Sequence, residues 1–151
     1  MTAPAFTLTH RFAAPRALVW RAWTDPALTV RWWHPAGVEV DPASVTVDLR
    51  LGGTYTYTMT LEGERWPTAG TYLTVDPPQL LRFTWRGPEV ADEGAPVATV
   101  VLREVDTATT EMTFTLEGHD PADAQSVREG WISAFDEVLA PLLRSEAGEL
   151  A

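Results

Sequence analysis

The segment APRALVWRAWTDPALTVRWWHP, Ala14 to Pro35, decides how the rest of the chain is read. It crowds four tryptophans, Trp20, Trp23, Trp32 and Trp33, onto two short helical pieces separated at Asp25-Pro26. Rings at that density on short helices need a large apolar surface to sit against, or a hollow to line. Pro15 opens the first piece, where its missing N–H costs nothing. Leu18, Val19, Ala22 and Trp23 fall on one helical stripe. Asp25 is placed to cap the second piece, with Pro26 as its first residue. That piece must end before Pro35, because the residue preceding a proline is pushed out of the helical region.

On either side of this segment the apolar period is two, the period of a half-buried strand. Phe6, Leu8, His10 and Phe12 alternate with Thr7, Thr9 and Arg11. Val38–Leu49 reads as one strand interrupted near Pro42, followed by a turn at Gly52-Gly53. Thr54–Leu61 alternates most cleanly, with Tyr55, Tyr57, Met59 and Leu61 on one face and threonines on the other. Glu62-Gly63-Glu64 reads as a hairpin turn. Thr71–Val75, Leu80–Arg86, Val97–Val105 and Thr109–Glu117 then complete seven strand candidates, the last two separated from the others by the acidic loop GPEVADEGAP. Threonine outward and large apolar inward describes an antiparallel sheet with one solvated side. Short connections favour a meander.

The last element places Val127, Trp131, Ala134, Phe135, Val138 and Leu142 at helical spacing. Capped by Asp120 and running from Pro121 to Ala140, it would reach roughly 30 Å, enough to cross a sheet. Gly130 in mid-helix costs about 1 kcal/mol, which a close approach of helix to sheet would offset. Pro141 is expected to kink or end the helix, and the tail SEAGELA to fray.

At 151 residues the chain fills one core and is too short for two, so residues 1–151 read as a single domain. Twenty-one acidic residues face eleven basic ones, all arginine, for a net charge of −10. That balance disfavours nucleic acid, which needs a basic patch, and adsorption to an anionic membrane. There is no cysteine, hence no disulfide, thiolate nucleophile or thiolate metal site. The start MTAPAFTLTH lacks the pattern of a signal peptide, and no apolar run is long enough to span a bilayer. A soluble cytoplasmic protein is the expectation. His10, His34 and His119 show no metal-ligand spacing, and no cofactor is implied. Gly52-Gly53 lacks the helix and lysine of a phosphate loop, and no serine sits in a nucleophile elbow.

The elements combine into an α+β helix-grip arrangement. A curved antiparallel sheet of about six or seven strands wraps around a long C-terminal helix, with two short N-terminal helices beside it. Apolar concavities closed by helices are where small ligands sit.

The order Ala14-Pro15, Val19-Trp20, Thr24-Asp25-Pro26, Arg31-Trp32-Trp33, Val47-Asp48-Leu49-Arg50, Gly52-Gly53, Gly70-Thr71-Tyr72, Phe83-Thr84-Trp85 and Gly130-Trp131 resembles the SRPBCC (START/Bet v 1-like) superfamily. More narrowly it is similar to the branch related to the C-terminal domain of the activator of heat shock protein 90 ATPase. The resemblance implies the helix-grip fold with a cavity for lipids, hormones, polyketides or other apolar molecules. It does not carry the co-chaperone role with it. Relatives often read WWGP where this chain has Trp32-Trp33-His34-Pro35, and Pro141 falls in a helix that usually runs on.

The candidate ligand-binding residues are His10, Trp32, Trp33, His34, Tyr55, Tyr57, Met59, Trp66, Phe83, Trp85, Met112, Phe114, Trp131 and Phe135. Most face one interior by pattern and serve equally as core. His10, inward on the first strand, is a satisfied core histidine or a pocket base whose orienting carboxylate is not visible in the sequence. His34 is a surface-loop residue or a ligand contact, and His119 a turn residue. Trp66, before Pro67 in a turn region, caps an entrance or lies on the surface. Asp48 and Arg50 form a structural ion pair, or Arg50 meets a ligand carboxylate. Three functions follow in order of preference. The first is binding of an apolar or aromatic small molecule without catalysis. The second is a polyketide cyclase/dehydratase-type enzyme using His10 or an inward tyrosine. The third is a protein-interaction module of the chaperone-activator kind. A homodimer would be ordinary for a protein of this size.

Overall fold

The structure, a computed structural model, describes residues 5–87, 91, 93–119, 122 and 124–150. The expected cap at Asp120, the helix start at Pro121 and part of the acidic loop lie outside the described residues.

One antiparallel sheet runs through the molecule. Its strands are β1 (Ala5–Phe12), β2 (Glu39–Val40), β3 (Thr46–Val47), β4 (Thr54–Leu61), β5 (Glu64–Asp76), β6 (Leu80–Thr84), β7 (Val97–Asp106) and β8 (Thr109–Glu117). Their spatial order is β1-β8-β7-β6-β5-β4-β2, with β3 also pairing β4. Strands β4 to β8 form the expected meander, and β4 and β8 keep the bounds the alternation gave them. The expected strand over Val38–Leu49 is instead two short ones: Pro42 starts a 3₁₀ turn, Pro42–Ser44, capped by Asp41 through Ala43 N at 3.0 Å.

The β4–β5 hairpin turns on Glu62 and Gly63, both at positive φ, the pair of angles a two-residue turn needs to match strand twist. Strand β5 begins at Glu64 rather than Thr71, so Trp66-Pro67 lies in a strand and not in a turn. Pro67 faces Thr58, whose N–H donates to Ser44 Oγ rather than to β5, while the Thr58 carbonyl accepts from Asp41 N. A proline opposite such a position removes no ladder bond. Farther along β5, Gly70 is required by a close approach. A Cβ there would collide with the Thr84 carbonyl and the Tyr55 ring.

Helices α1 (Arg16–Thr24) and α2 (Pro26–Thr29) cross the concave side between β1 and β2, at opposite sheet edges. Pro15 sits one residue earlier than expected, as the N-cap of α1, while Asp25 caps α2 through Ala27 N at 3.0 Å. Trp23 is the hub of the core. Its ring centroid lies 4.6 Å from Trp32 and 6.0 Å from each of Phe83, Phe114 and Phe135, and its N–H donates to Met112 Sδ at 3.4 Å. Truncating such a ring to alanine costs about 3–5 kcal/mol.

The C-terminal helix is continuous in three parts: α3 (Ala124–Ser133), a π-helical segment (Ala134–Leu139) and α4 (Ala140–Leu150). Pro141 therefore neither ends the helix nor stands within an unbroken α-helical ladder. Ala140 N already bonds five residues back, to Phe135 O, so the ladder has shifted before the proline arrives. The tail described as far as Leu150 is helical.

Candidate functional site

Where the helix lies over β4 and the start of the β6–β7 connection, it leaves a cleft of about 190 Å³. The helix supplies Ser126, Val127, Gly130, Trp131 and Ala134; the sheet side supplies Tyr57, Met59 and Trp85. Trp33, His34 and Pro35, just after α2, form the third wall. The loop is tied to the helix by a hydrogen bond from Ala36 N to Ser133 Oγ at 3.0 Å. Beneath the cleft a void of about 10 Å³, room for about one water, is lined by Trp23, Tyr55, Tyr72, Leu81 and Phe83. Trp33, Tyr57, Trp85 and Trp131 border both spaces.

These four rings are held by each other. Trp33 packs on Tyr57 at 4.8 Å, Trp85 meets Trp131 edge-on at 5.5 Å, and Trp85 Nε1 donates to Tyr57 Oη at 3.1 Å. Burial pushes the Tyr57 phenol up to about 12, against the opposing hydrogen bonds of Trp85 and Thr68. Tyr72 is raised further, by burial first and by the nearby Asp48 charge second. Two buried polar atoms on these linings have no hydrogen-bond partner among the described residues, Tyr72 Oη and Trp131 Nε1.

Gly130 is the opening in the helix wall. Its expected role, letting helix and sheet approach closely, is not what the structure has. A Cβ at Gly130 would meet only Pro35 Cγ, at 3.8 Å, an ordinary contact. The glycine leaves space in the cleft instead.

Of the fourteen candidates, Trp33, His34, Tyr57, Met59, Trp85 and Trp131 line the cleft, and Tyr55 and Phe83 line the void. Trp32, Met112, Phe114 and Phe135 are packed into the core at 1% exposure or less, behind these linings. Trp66 pairs with Met59 across β4–β5, so both point to the same face, and it stands exposed beyond the cleft lining. The three histidines go to three places. His34 borders the cleft with Nδ1 donating to Pro35 O at 2.8 Å. His10 lines neither space: its Nε2 lies 2.8 Å from Asp136 Oδ1, and its ring stacks on Phe12 at 4.3 Å. The carboxylate it needed comes from the helix. His119, expected as a turn residue, is buried, edge-on to Phe6 at 5.4 Å, beside a separate hollow of about 230 Å³ on the far side of Trp85. Arg50 pairs with Asp48 at 2.9 Å on the surface, the structural reading of that pair.

Sequence reasoning missed the small side of the cleft, Ser126, Val127, Gly130 and Ala134, and Trp23, Tyr72 and Leu81 in the void. Residues 127, 130, 131 and 134 share one helical face, and small residues there opposite a row of rings were the available signal. Tyr72 could have been found from its register opposite Phe83.

A curled antiparallel sheet gripping a long C-terminal helix, with an apolar space between them, defines a START-like helix-grip protein. The chain belongs to the activator of Hsp90 ATPase homolog 1-like family, which matches residues 13–144. Family and fold together are those of ligand-binding or helper domains. It is similar to a solved protein of Chromobacterium violaceum (TM-score 0.81, 24% identity, covering 93% of this chain and 97% of that one). A Nitrosomonas europaea protein is similar at TM-score 0.79 and 26% identity, over 94% and 95% of the two chains. The AHSA1 protein of Silicibacter pomeroyi is similar at TM-score 0.79 and 25% identity, over 95% and 99%. No curated protein matches the chain. Among the described residues no helix is long and apolar enough to cross a membrane.

Proposed function

We propose that the cleft between β4 and the C-terminal helix binds a small apolar or aromatic molecule and performs no chemistry on it. The observation that carries this reading is Gly130. A helix interior accepts a glycine at a cost of about 1 kcal/mol, and here no neighbour demands it. What the missing side chain leaves is room, opposite Trp33, Tyr57 and Trp85. An apolar molecule placed there exchanges water for ring surface at about 25 cal/mol per Å².

The cyclase/dehydratase reading has less support. His10 has its carboxylate partner, but the pair lies away from both spaces. A Tyr57 phenol near 12 is a hydrogen-bond donor and a poor proton acceptor at neutral pH.

Native mass spectrometry of freshly purified protein, followed by extraction, is the first test. A co-purified apolar molecule supports the reading and names its class. Gly130→Leu, folded by circular dichroism, should lose uptake of a neutral fluorescent apolar probe that the parent takes up. Uptake unchanged by Gly130→Leu would overturn the cleft as the binding site.

A further inference from the structure

We infer that the molecule held in this cleft is neutral and carries an acceptor oxygen, a carbonyl or ether, that meets the indole N–H of Trp131. The inference rests on the cleft being a binding site and adds what that site selects.

Among the described residues the indole N–H groups of the buried Trp23 and Trp32 and the half-buried Trp85 donate to Met112 Sδ, Ala22 O and Tyr57 Oη, at 3.4, 2.6 and 3.1 Å. Trp131 differs from these three. It is 9% exposed, it lines the cleft, and its Nε1 is buried without a partner. Nor is its ring loose: Phe114, Trp85 and Phe135 hold it at centroid distances of 4.6, 5.5 and 5.6 Å. A buried polar group costs stability until it finds a partner, and an indole N–H can only donate. The complementary group is therefore an acceptor.

Neutrality follows from the rest of the lining. Apart from His34, whose Nδ1 is already engaged with the Pro35 carbonyl at 2.8 Å, it contains no histidine, arginine, aspartate or glutamate among the described residues, so an ion would lose its hydration there without gaining a fixed counter-charge. A space of about 190 Å³ suits a molecule of naphthalene size bearing one such oxygen.

The test uses methyl naphthyl ketone and its isopropenyl analogue, in which C=CH₂ replaces C=O at nearly constant shape. Trp131→Phe keeps a ring and removes the N–H. The ketone should bind the parent about tenfold more tightly than it binds Trp131→Phe, while the analogue binds both alike. Equal losses for both probes, or none for either, would overturn the inference and leave the cleft as a binding site. Failure of both probes to bind the parent would sink the binding reading and the inference with it. A second measurement needs no variant. The carbonyl stretch of the bound ketone should fall below its value in hexane, and an unshifted band overturns the inference even if Trp131→Phe does not fold.

Discussion

His10 Nε2 sits 2.8 Å from Asp136 Oδ1, joining the first strand to the π-helical segment of the C-terminal helix. These elements are far apart in sequence and at the edge of the grip. Asp136 is 54% exposed and His10 25%, so the pair is partly screened. A double-mutant cycle of His10→Gln and Asp136→Asn should give a coupling of about 0.5–1 kcal/mol in chemical denaturation. Purely additive losses would mean that the contact does not tie the helix to β1.

Gly130→Ala should stabilise the protein by up to about 1 kcal/mol, because the helix gains propensity and the new methyl meets only Pro35 Cγ at 3.8 Å. The midpoint of urea denaturation reads this directly. A destabilised Gly130→Ala would mean that helix and loop are closer than the space between them indicates.

Glu111 on β8 receives Arg103 at 3.1 Å and Arg11 at 3.2 Å, tying β7 and β1 to the strand between them. The hydrogen bonds from Arg103 and then Arg11 hold its carboxyl below the ordinary glutamate value of 4.5. Because the folded value is depressed, the stabilisation is present above 4.5 and is lost as the pH falls through the folded value. Thermal melts of the parent and Glu111→Gln should therefore differ at neutral pH and converge in acid. A gap that is the same at both ends would exclude the ion pairs as its source.

Tyr57 and Tyr72 should stay protonated when an ordinary tyrosine, at 10.0, ionises, since burial raises both and takes Tyr57 to about 12. The unfolded chain ionises first, so stability declines as the pH rises above 10.0 and continues to fall until the folded phenols titrate. Absorbance at alkaline pH, followed beside circular dichroism, should show these two phenols ionising only with unfolding. Full phenolate absorbance in a still-folded protein would contradict their burial.

Much of the fold was legible because strand and helix periods are local. The alternation at Thr54–Leu61 and Thr109–Glu117, and the Asp25-Pro26 break, are written in adjacent residues. The aromatic half of the cleft was legible too, since Tyr57, Met59 and Trp85 follow from strand faces. What could not be read was which inward residues border space and which are packed solid. Trp32 and Trp33 are neighbours of the same type, yet one donates to Ala22 O inside the core and the other lines the cleft. Nor does sequence show that Asp136 meets His10, a contact made across 126 positions by the wrapping of the helix.

Val127, Trp131, Phe135, Leu139 and Leu143 are spaced by four throughout. In a uniform α-helix each such step overshoots a full turn by about 40°, so the last of them would end about 160° from the first, on the opposite side. Yet Trp131, Phe135, Leu139 and Leu143 are all buried and Val127 packs against the same core. The wider turn at Ala134–Leu139 takes up that overshoot. The helix thus behaves as two gears meshed through one extra tooth. Removing a single residue between 134 and 139 should let the segment close as ordinary α-helix with both halves still facing the grip, whereas inserting one should turn one half against the other by about 100°, so that either the cleft or the core end disengages.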